Sequence, residues 1–181
     1  MSKEIVDELI SCFEVKEYKK NHFFAQIGNK EDKLGFVIEG IFYMYVEKED
    51  GTFFTKDFIC KNGFLVATFK PNQESEVSIQ ALTNCIILEM KYSDFMKLCE
   101  KYRELETLSR KGSEKRIATI YKRMSDFTTI DATERYELFK QEFYLVESEI
   151  PQYLVASYLG ITPTQISRIR KNLKNSNNQH M

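Results

Sequence analysis

The spacing of apolar and polar positions along the chain changes twice and divides the chain into three parts. Residues 1 to 16 place apolar side chains at helical spacing, which predicts a short helix. From about Glu17 to Met90, short β-rich runs separated by turn residues predict a sandwich or a rolled barrel. The runs are Tyr18 to Ile27, Lys33 to Ile38, Ile41 to Val46, Thr52 to Phe58, Phe64 to Phe69, Val77 to Leu82 and Cys85 to Met90. Glu39-Gly40 and Lys48-Glu49-Asp50-Gly51 have the sequence of hairpin turns.

A long helical pattern follows the strands, from Tyr92 to Phe127. Gly112 lies where the apolar stripe changes phase, so we expect the helix to bend there, or to end and restart. A stripe of this length needs a covering surface, which either a second copy of the chain or its own β domain would provide. The candidate dimer-interface residues are Leu105, Leu108, Ile117, Ile120, Tyr121 and Met124.

A pair of short helices joined by a glycine turn is predicted near the C-terminus. Before it, Asp131 to Glu134 has the spacing of a capping box, which starts a helix that ends before Ser148. In the pair itself, Gly160 follows the apolar positions of the first helix, where a residue of positive φ is needed. Thr162 then caps the second helix, and Pro163 fits its first position.

The second helix of this pair has two different faces. Ile166, Ile169 and Leu173 recur at spacings of three and four and predict the buried face. Between Gly160 and Met181 there are four basic residues and no acidic one, so the opposite face suits a DNA major groove. The candidate DNA-binding residues are Thr162, Thr164, Gln165, Ser167, Arg168 and Lys171. The alternative is a helical hairpin that only covers a larger domain and has a solvated basic face.

Composition restricts the class of protein. The chain has 181 residues, enough for one large domain or two small ones. Its formal net charge of -1 excludes a surface coated with basic residues, so contact with nucleic acid requires a local patch. No apolar run is long enough to cross a bilayer, and we expect a cytoplasmic protein with no membrane partner.

Metal and enzyme chemistry are not expected. The four cysteines are widely spaced without a CxxC pair, and the chain has only two histidines, His22 and His180. A β-barrel enzyme of the cupin type would need several histidines to hold its metal, so that class is excluded. No serine or cysteine triad and no glycine-rich phosphate loop is available. We therefore predict a non-enzyme with no metal and no cofactor.

Several short sequence motifs, spread over nearly the whole chain, resemble the Crp/Fnr family of bacterial transcription regulators. They are Gly35 to Val46, Glu134-Arg135-Tyr136, Ala156 to Pro163 and Ile166 to Arg170. The resemblance implies an α+β fold with an N-terminal double-stranded β-helix, the cyclic-nucleotide-binding-like β roll, as sensor (1–91). It further implies a dimerisation helix (92–128) and a C-terminal helix-turn-helix domain (129–181). The implied partners are double-stranded DNA, a second copy of the chain, RNA polymerase and an unknown small-molecule effector.

The resemblance also implies residue roles and shows two departures. Base-reading positions fall on Thr164, Ser167 and Arg168, with Gln165 beside them and Lys171 as a phosphate contact. Many relatives have glutamate where Thr164 stands, so the preferred base sequence should differ from theirs. Winged relatives continue into a β hairpin, whereas here only a short polar tail follows Leu173. Either there is no wing, or it is made elsewhere, for which the segment 143–146 is the only candidate strand before the pair.

The sensor half departs most from the family pattern. Cyclic-nucleotide binders hold the sugar and phosphate with a Gly-Glu-Leu turn followed by an arginine. Here the matching segments, 62–69 and 73–76, have no arginine and carry Glu74 and Glu76, so cyclic AMP is not expected to bind in the usual mode. The candidate ligands for a haem group are His22, Cys60 and Cys85. The aromatic side chains of the roll form either an apolar cavity or its core. They are Phe53, Phe54, Phe58, Phe64 and Phe69.

The sequence as a whole predicts a dimeric, sequence-specific DNA-binding regulator whose effector is unknown. The alternative is a β-roll module that binds a small ligand or a partner protein and does not bind DNA.

Overall fold

The computed structural model describes residues 1–48 and 51–178, and side chains up to Asn175. The predicted turn residues Glu49 and Asp50 and the C-terminal residues 179–181, with His180, lie outside the described residues. The elements in chain order are α1 (Lys3–Ser11), β1 (Glu14–Tyr18), β2 (Phe23–Ala25), β3 (Lys30–Glu31), β4 (Leu34–Glu39), β5 (Phe42–Glu47), β6 (Phe53–Ile59), β7 (Phe64–Val66), β8 (Gln73–Glu74), β9 (Ser78–Ala81), β10 (Cys85–Met90), α2 (Tyr92–Lys101), α3 (Arg103–Thr129), α4 (Ala132–Glu142), a 3₁₀ turn (Glu147–Glu149), α5 (Gln152–Leu159) and α6 (Pro163–Asn178).

The strands form the predicted β roll. Two four-stranded antiparallel sheets have the orders β1-β10-β4-β7 and β2-β9-β5-β6, and β3 pairs with β8 as a small third sheet. Strands that alternate in burial supply the core from both sheets. The fully buried members of this core include Phe24, Val37, Phe42, Leu65, Ile79 and Ile87. The α+β class with a β roll and a long helix is therefore confirmed.

Several predicted bounds are wrong because tertiary pairing overrides the local pattern. The first helix ends at Ser11, since residues 14–18 pair with β10 as an edge strand. The predicted strand Tyr18 to Ile27 is interrupted by a turn at Asn21, whose φ is +70°. The run Phe64 to Phe69 is a strand only as far as Val66. The short strands β3 and β8 were not predicted, because each has only two residues.

The sequence predicts that the long helical segment bends or breaks at Gly112. In the structure it is interrupted at Tyr102 instead. Tyr102 has extended backbone angles between α2 and α3, and its hydroxyl donates a hydrogen bond to Glu8, 2.5 Å away. This contact with α1 accompanies a shared apolar cluster that includes Ile5 and Leu105. Gly112 lies inside α3, where a Cβ atom would meet no atom of another part of the chain within 4 Å, so nothing there requires a break.

The chain divides into two compact units. The first consists of Met1–Val46 and Lys56–Thr119, and the second of Glu47–Thr55 and Ile120–Met181. In the second unit, α4 begins with the predicted capping box between Asp131 and Glu134, which is confirmed. The candidate wing strand at 143–146 is wrong: these residues form turns after α4, in which the amides of Val146 and Glu147 donate to the Phe143 carbonyl.

Candidate nucleic-acid interface

The turn between α5 and α6 depends on Gly160. Its φ is +67°, in the left-handed region that glycine adopts without strain. The amide of Ile161 donates to the carbonyl of Ala156 at 3.0 Å and closes the end of α5. A Cβ atom on residue 160 would lie 3.0 Å from the ring of Phe127, so the turn is also crowded. The predicted position and conformation of this glycine are confirmed.

The first turn of α6 is held by a reciprocal pair of hydrogen bonds. The Gln165 amide donates to Thr162 Oγ1 at 3.2 Å, and the Thr162 amide donates to Gln165 Oε1 at 2.8 Å. This is a capping box with glutamine at its third position, and Pro163 occupies the first position of the helix. Gln165 therefore fixes the start of α6 in addition to lying on its outer surface.

The predicted faces of α6 are present in the structure. Ile166 and Ile169 are buried and Leu173 is half-buried. The predicted DNA-binding residues are all exposed, and they are Thr162, Thr164, Gln165, Ser167, Arg168 and Lys171. Within the described residues, Arg168 makes no hydrogen bond or ion pair with the rest of the chain. Because α6 contains no acidic residue, its outer face carries uncompensated positive charge.

Ser167 is positioned by a residue that the sequence reasoning missed. Gln152, at the start of α5, donates from Nε2 to Ser167 Oγ at 2.7 Å and to the Pro163 carbonyl at 2.8 Å. The Ser167 hydroxyl donates to the same carbonyl at 3.2 Å. Spacing along one helix does not reveal this bridge, since it depends on how α5 crosses α6.

Arg170 is a structural residue, although it lies among the basic residues of α6. It donates to Glu147 Oε1 at 2.5 Å and to the Tyr136 hydroxyl at 2.9 Å, and that hydroxyl is 3.0 Å from the same carboxylate. Burial alone would lower the pKa of Arg170, but the hydrogen bonds and charges of Tyr136 and Glu147 raise it above its ordinary value. Burial raises the pKa of Tyr136. The network ties α6 to α4 and to the 3₁₀ turn.

The first residues of β6, Phe53 to Thr55, belong to the second unit and contact α5 there. The Ser157 hydroxyl donates to the Phe53 carbonyl at 3.1 Å and accepts from the Thr55 amide at 2.9 Å. The rings of Phe53 and Tyr153 meet edge to face, with centroids 6.1 Å apart. An edge strand has unpaired backbone groups, and here one serine satisfies two of them.

The candidate dimer residues on α3 fall into two groups. Leu105 is only 2% exposed, because it packs in the cluster with Ile5 and Leu34, and the expectation that it lies at a dimer interface is wrong. The other candidates are all about half exposed or more, and they are Leu108 59%, Ile117 52%, Ile120 49%, Tyr121 68% and Met124 61%. Four of them, from Ile117 onward, follow the spacing of a single helix face.

The segment that matches the cyclic-nucleotide site lacks the arginine of the family pattern. No arginine precedes Arg103 in the sequence, and Glu74 and Glu76 are exposed on either side of the buried Ser75. The Ser75 hydroxyl donates to the Val77 carbonyl at 2.6 Å and so is already satisfied. The expectation that this segment does not hold a phosphate in the usual way stays a prediction.

The aromatic and metal-ligating candidates of the roll do not converge on one site. Phe58 is part of the buried core, whereas Phe64 and Phe69 are exposed. Among the residues that the structure describes, no three histidine, cysteine or acidic side chains are placed to hold a metal ion. No helix in the described ranges is long and apolar enough to span a membrane.

Comparisons with known proteins identify the fold. Residues 15–102 match the family model of the cyclic nucleotide-binding domain. FixK2 from Bradyrhizobium japonicum is similar with a TM-score of 0.81 and 15% identity, over 91% of this chain and 86% of that chain. The c-di-GMP-responsive global regulator CLP from Xanthomonas campestris has a TM-score of 0.74 and 16% identity, over 97% and 93%. No curated protein matches the chain significantly in sequence.

A third structure, a CooA mutant from Carboxydothermus hydrogenoformans, has a TM-score of 0.73 and 18% identity, over 93% of this chain and 79% of that chain. These neighbours are regulators of the Crp/Fnr family. The resemblance seen in the sequence is therefore confirmed: residues 15–102 match the cyclic nucleotide-binding domain family, and the chain has the fold of the Crp/Fnr regulators.

Proposed function

We propose that the chain is a dimeric, sequence-specific DNA-binding transcription regulator in which α5 and α6 act as a helix-turn-helix. The observation that carries the proposal is the outer face of α6, which is exposed, basic and free of acidic residues. The Crp/Fnr fold supports the proposal, because its solved neighbours are regulators. A non-catalytic role in the cytoplasm, where DNA is accessible, is part of the same proposal.

The residues of α6 divide the work of binding between bases and backbone. Thr164 and Ser167 offer hydroxyl groups and Arg168 offers a guanidinium, and these groups hydrogen-bond to base edges in a major groove. Lys171 lies one turn further along the helix and meets a phosphate. The first turn of α6 adds the positive end of the helix dipole, and the Thr162–Gln165 cap keeps that turn rigid.

The exposed apolar stripe of α3 is the proposed dimer interface, with Leu105 omitted. The stripe of four apolar side chains from Ile117 to Met124 is unfavourable in water, and a second α3 would cover it, whereas the exposed Leu108 lies on another side of the helix. Two-fold symmetry then places two α6 helices about 34 Å apart, in successive major grooves. The proposed target is a palindromic site.

The β roll is the proposed effector domain, and its ligand is not cyclic AMP in the usual binding mode. The absence of an arginine before Arg103 and the satisfied Ser75 hydroxyl support this part of the proposal. The small-molecule effector is unidentified. RNA polymerase is the further proposed partner, since a regulator bound to a promoter meets it there.

Selection of bound sequences from a random duplex library tests the function directly. Purified full-length chain would be mixed with the library, with and without a small-molecule extract of cells. Enrichment of a two-fold symmetric motif is the expected result, and dependence on the extract would identify the roll as a working sensor. If neither condition enriches any motif, the alternative of a β-roll module that binds a ligand or partner protein replaces the proposal.

A further inference from the structure

A cleft of about 360 Å³ lies on the side of α6 that faces α4 and the 3₁₀ turn. Its floor is formed by the Tyr136, Glu147 and Arg170 network, with the side chain of Leu173 beside it. Two lysines also line it, Lys140 from α4 and Lys174 from α6, together with Ser148 and Ile150. All of these residues belong to the second compact unit.

The cleft carries unbalanced positive charge. Of the described residues that line it, three carry cationic side chains and one, Glu147, carries a carboxylate. That carboxylate is occupied, because Arg170 and the Tyr136 hydroxyl both contact its Oε1 atom. Within the described residues, Lys140 and Lys174 form no ion pair, so about two positive charges remain for an anion.

The cleft continues the face of α6 that we propose contacts DNA. Ser167, Lys171 and Lys174 are spaced by four and three residues, so they form one stripe along the helix. Lys174 is exposed at the C-terminal end of this stripe, and Lys140 stands across the cleft from α4, with its ammonium 5.4 Å from the centre of the Tyr136 ring. A DNA backbone beside α6 would therefore pass the mouth of the cleft.

We propose that Lys140 and Lys174 bind a backbone phosphate of the DNA that α6 reads. This inference rests on the proposed function and adds α4 to the DNA interface, which neither the sequence pattern nor the comparisons assign. Lysine acts as a point charge toward phosphate, and a partly enclosed site strengthens that attraction. A phosphate contact positions the protein and carries no base preference.

The salt dependence of DNA binding tests this proposal. Full-length Lys140→Gln, Lys174→Gln and the double variant would be titrated with the selected duplex across a range of salt, with Lys61→Gln in the roll as a matched control. Each cleft variant should reduce the magnitude of the slope of log affinity against log salt by about one per protomer, with the selected motif unchanged. The control should keep the wild-type slope.

A duplex scan locates the contact. One neutral methylphosphonate linkage at a time would replace a phosphate in the selected site. At one linkage in each half-site, the substitution should weaken binding of the wild type. The double variant should bind that modified duplex as well as it binds the unmodified one. Lys174 is exposed, so Lys174→Gln keeps the test valid if the double variant is unstable. If the cleft variants keep the wild-type salt slope and scan profile, this inference alone is wrong. If the wild type itself shows no sequence-specific binding, the proposed function is wrong as well.

Discussion

Arg168 and Lys171 lie on the same exposed face of α6, yet their chemistry suits them to different parts of DNA. Arginine presents a planar fork that matches the acceptors of a guanine edge, whereas lysine presents a single compact charge. Arg168 is exposed and, within the described residues, makes no hydrogen bond or ion pair, so its guanidinium is available to a base. We therefore expect Arg168 to read bases and Lys171 to contact the DNA backbone.

Replacing Arg168 with alanine should reduce affinity for the selected site by about 1 to 3 kcal/mol and change affinity for random DNA little. Lys171→Ala should weaken both and reduce the salt slope by about one. Fluorescence anisotropy with both duplexes at several salt concentrations measures the two effects. Equal losses on both duplexes for Arg168→Ala would show that this residue does not read bases.

At the residue scale, the sequence predicted the outer face of α6 but not the connections beneath it. Thr164, Ser167 and Arg168 follow from helical spacing, which is a local property. The different roles of Arg170 and Arg168 were not predicted. Arg170 is held by Glu147, which lies 23 positions earlier in the chain, so helical spacing does not reveal its structural role. Gln152 was missed for the same reason, since its bond to Ser167 is set by the crossing of two helices.

The turn between α5 and α6 is the element on which the proposed interface depends. Gly160→Ala should destabilise the second unit by about 1 to 2 kcal/mol, because alanine is strained at a φ of +67° and its Cβ would crowd Phe127. Gly112→Ala is the matched control. It lies in open space inside α3 and should stabilise the chain by about 0.5 to 1 kcal/mol.

Urea unfolding monitored by circular dichroism measures both glycine variants. Gly160→Ala should also weaken DNA binding, because the turn sets the direction of α6. A Gly160→Ala chain with wild-type stability and affinity would mean that the turn does not require a left-handed residue.

Elements were predicted well where their signals are local. The capping box at Asp131, the Thr162 cap and the end of α5 were predicted from a few adjacent residues, and the structure confirms them. The break at Tyr102 was missed because its partner, Glu8, is 94 positions away. The bounds of β1 were missed likewise, since only pairing with β10 makes Glu14–Tyr18 a strand.

For the whole molecule, the apolar stripe of α3 predicts association. Ile120→Glu places a charge in the centre of the stripe and should shift the chain toward the monomer, because an unpaired carboxylate is costly to bury. Thr119→Glu adds the same charge to an exposed position on the opposite side of α3 and should leave the dimer intact. Sedimentation velocity at several concentrations distinguishes the two. If the wild type and both variants are all monomers, the proposed dimer is wrong.

The spacing of the two half-sites tests whether the chain reads successive major grooves as a dimer. The affinity of the full-length chain would be measured for the selected palindrome and for the same sequence with about five base pairs, half a helical turn, inserted between its halves. We predict that two chains bind the original site. After the insertion, affinity should fall toward the level of random DNA, because the half-sites then face opposite sides of the duplex. Unchanged affinity after the insertion, or one chain bound to the original site, would contradict this prediction.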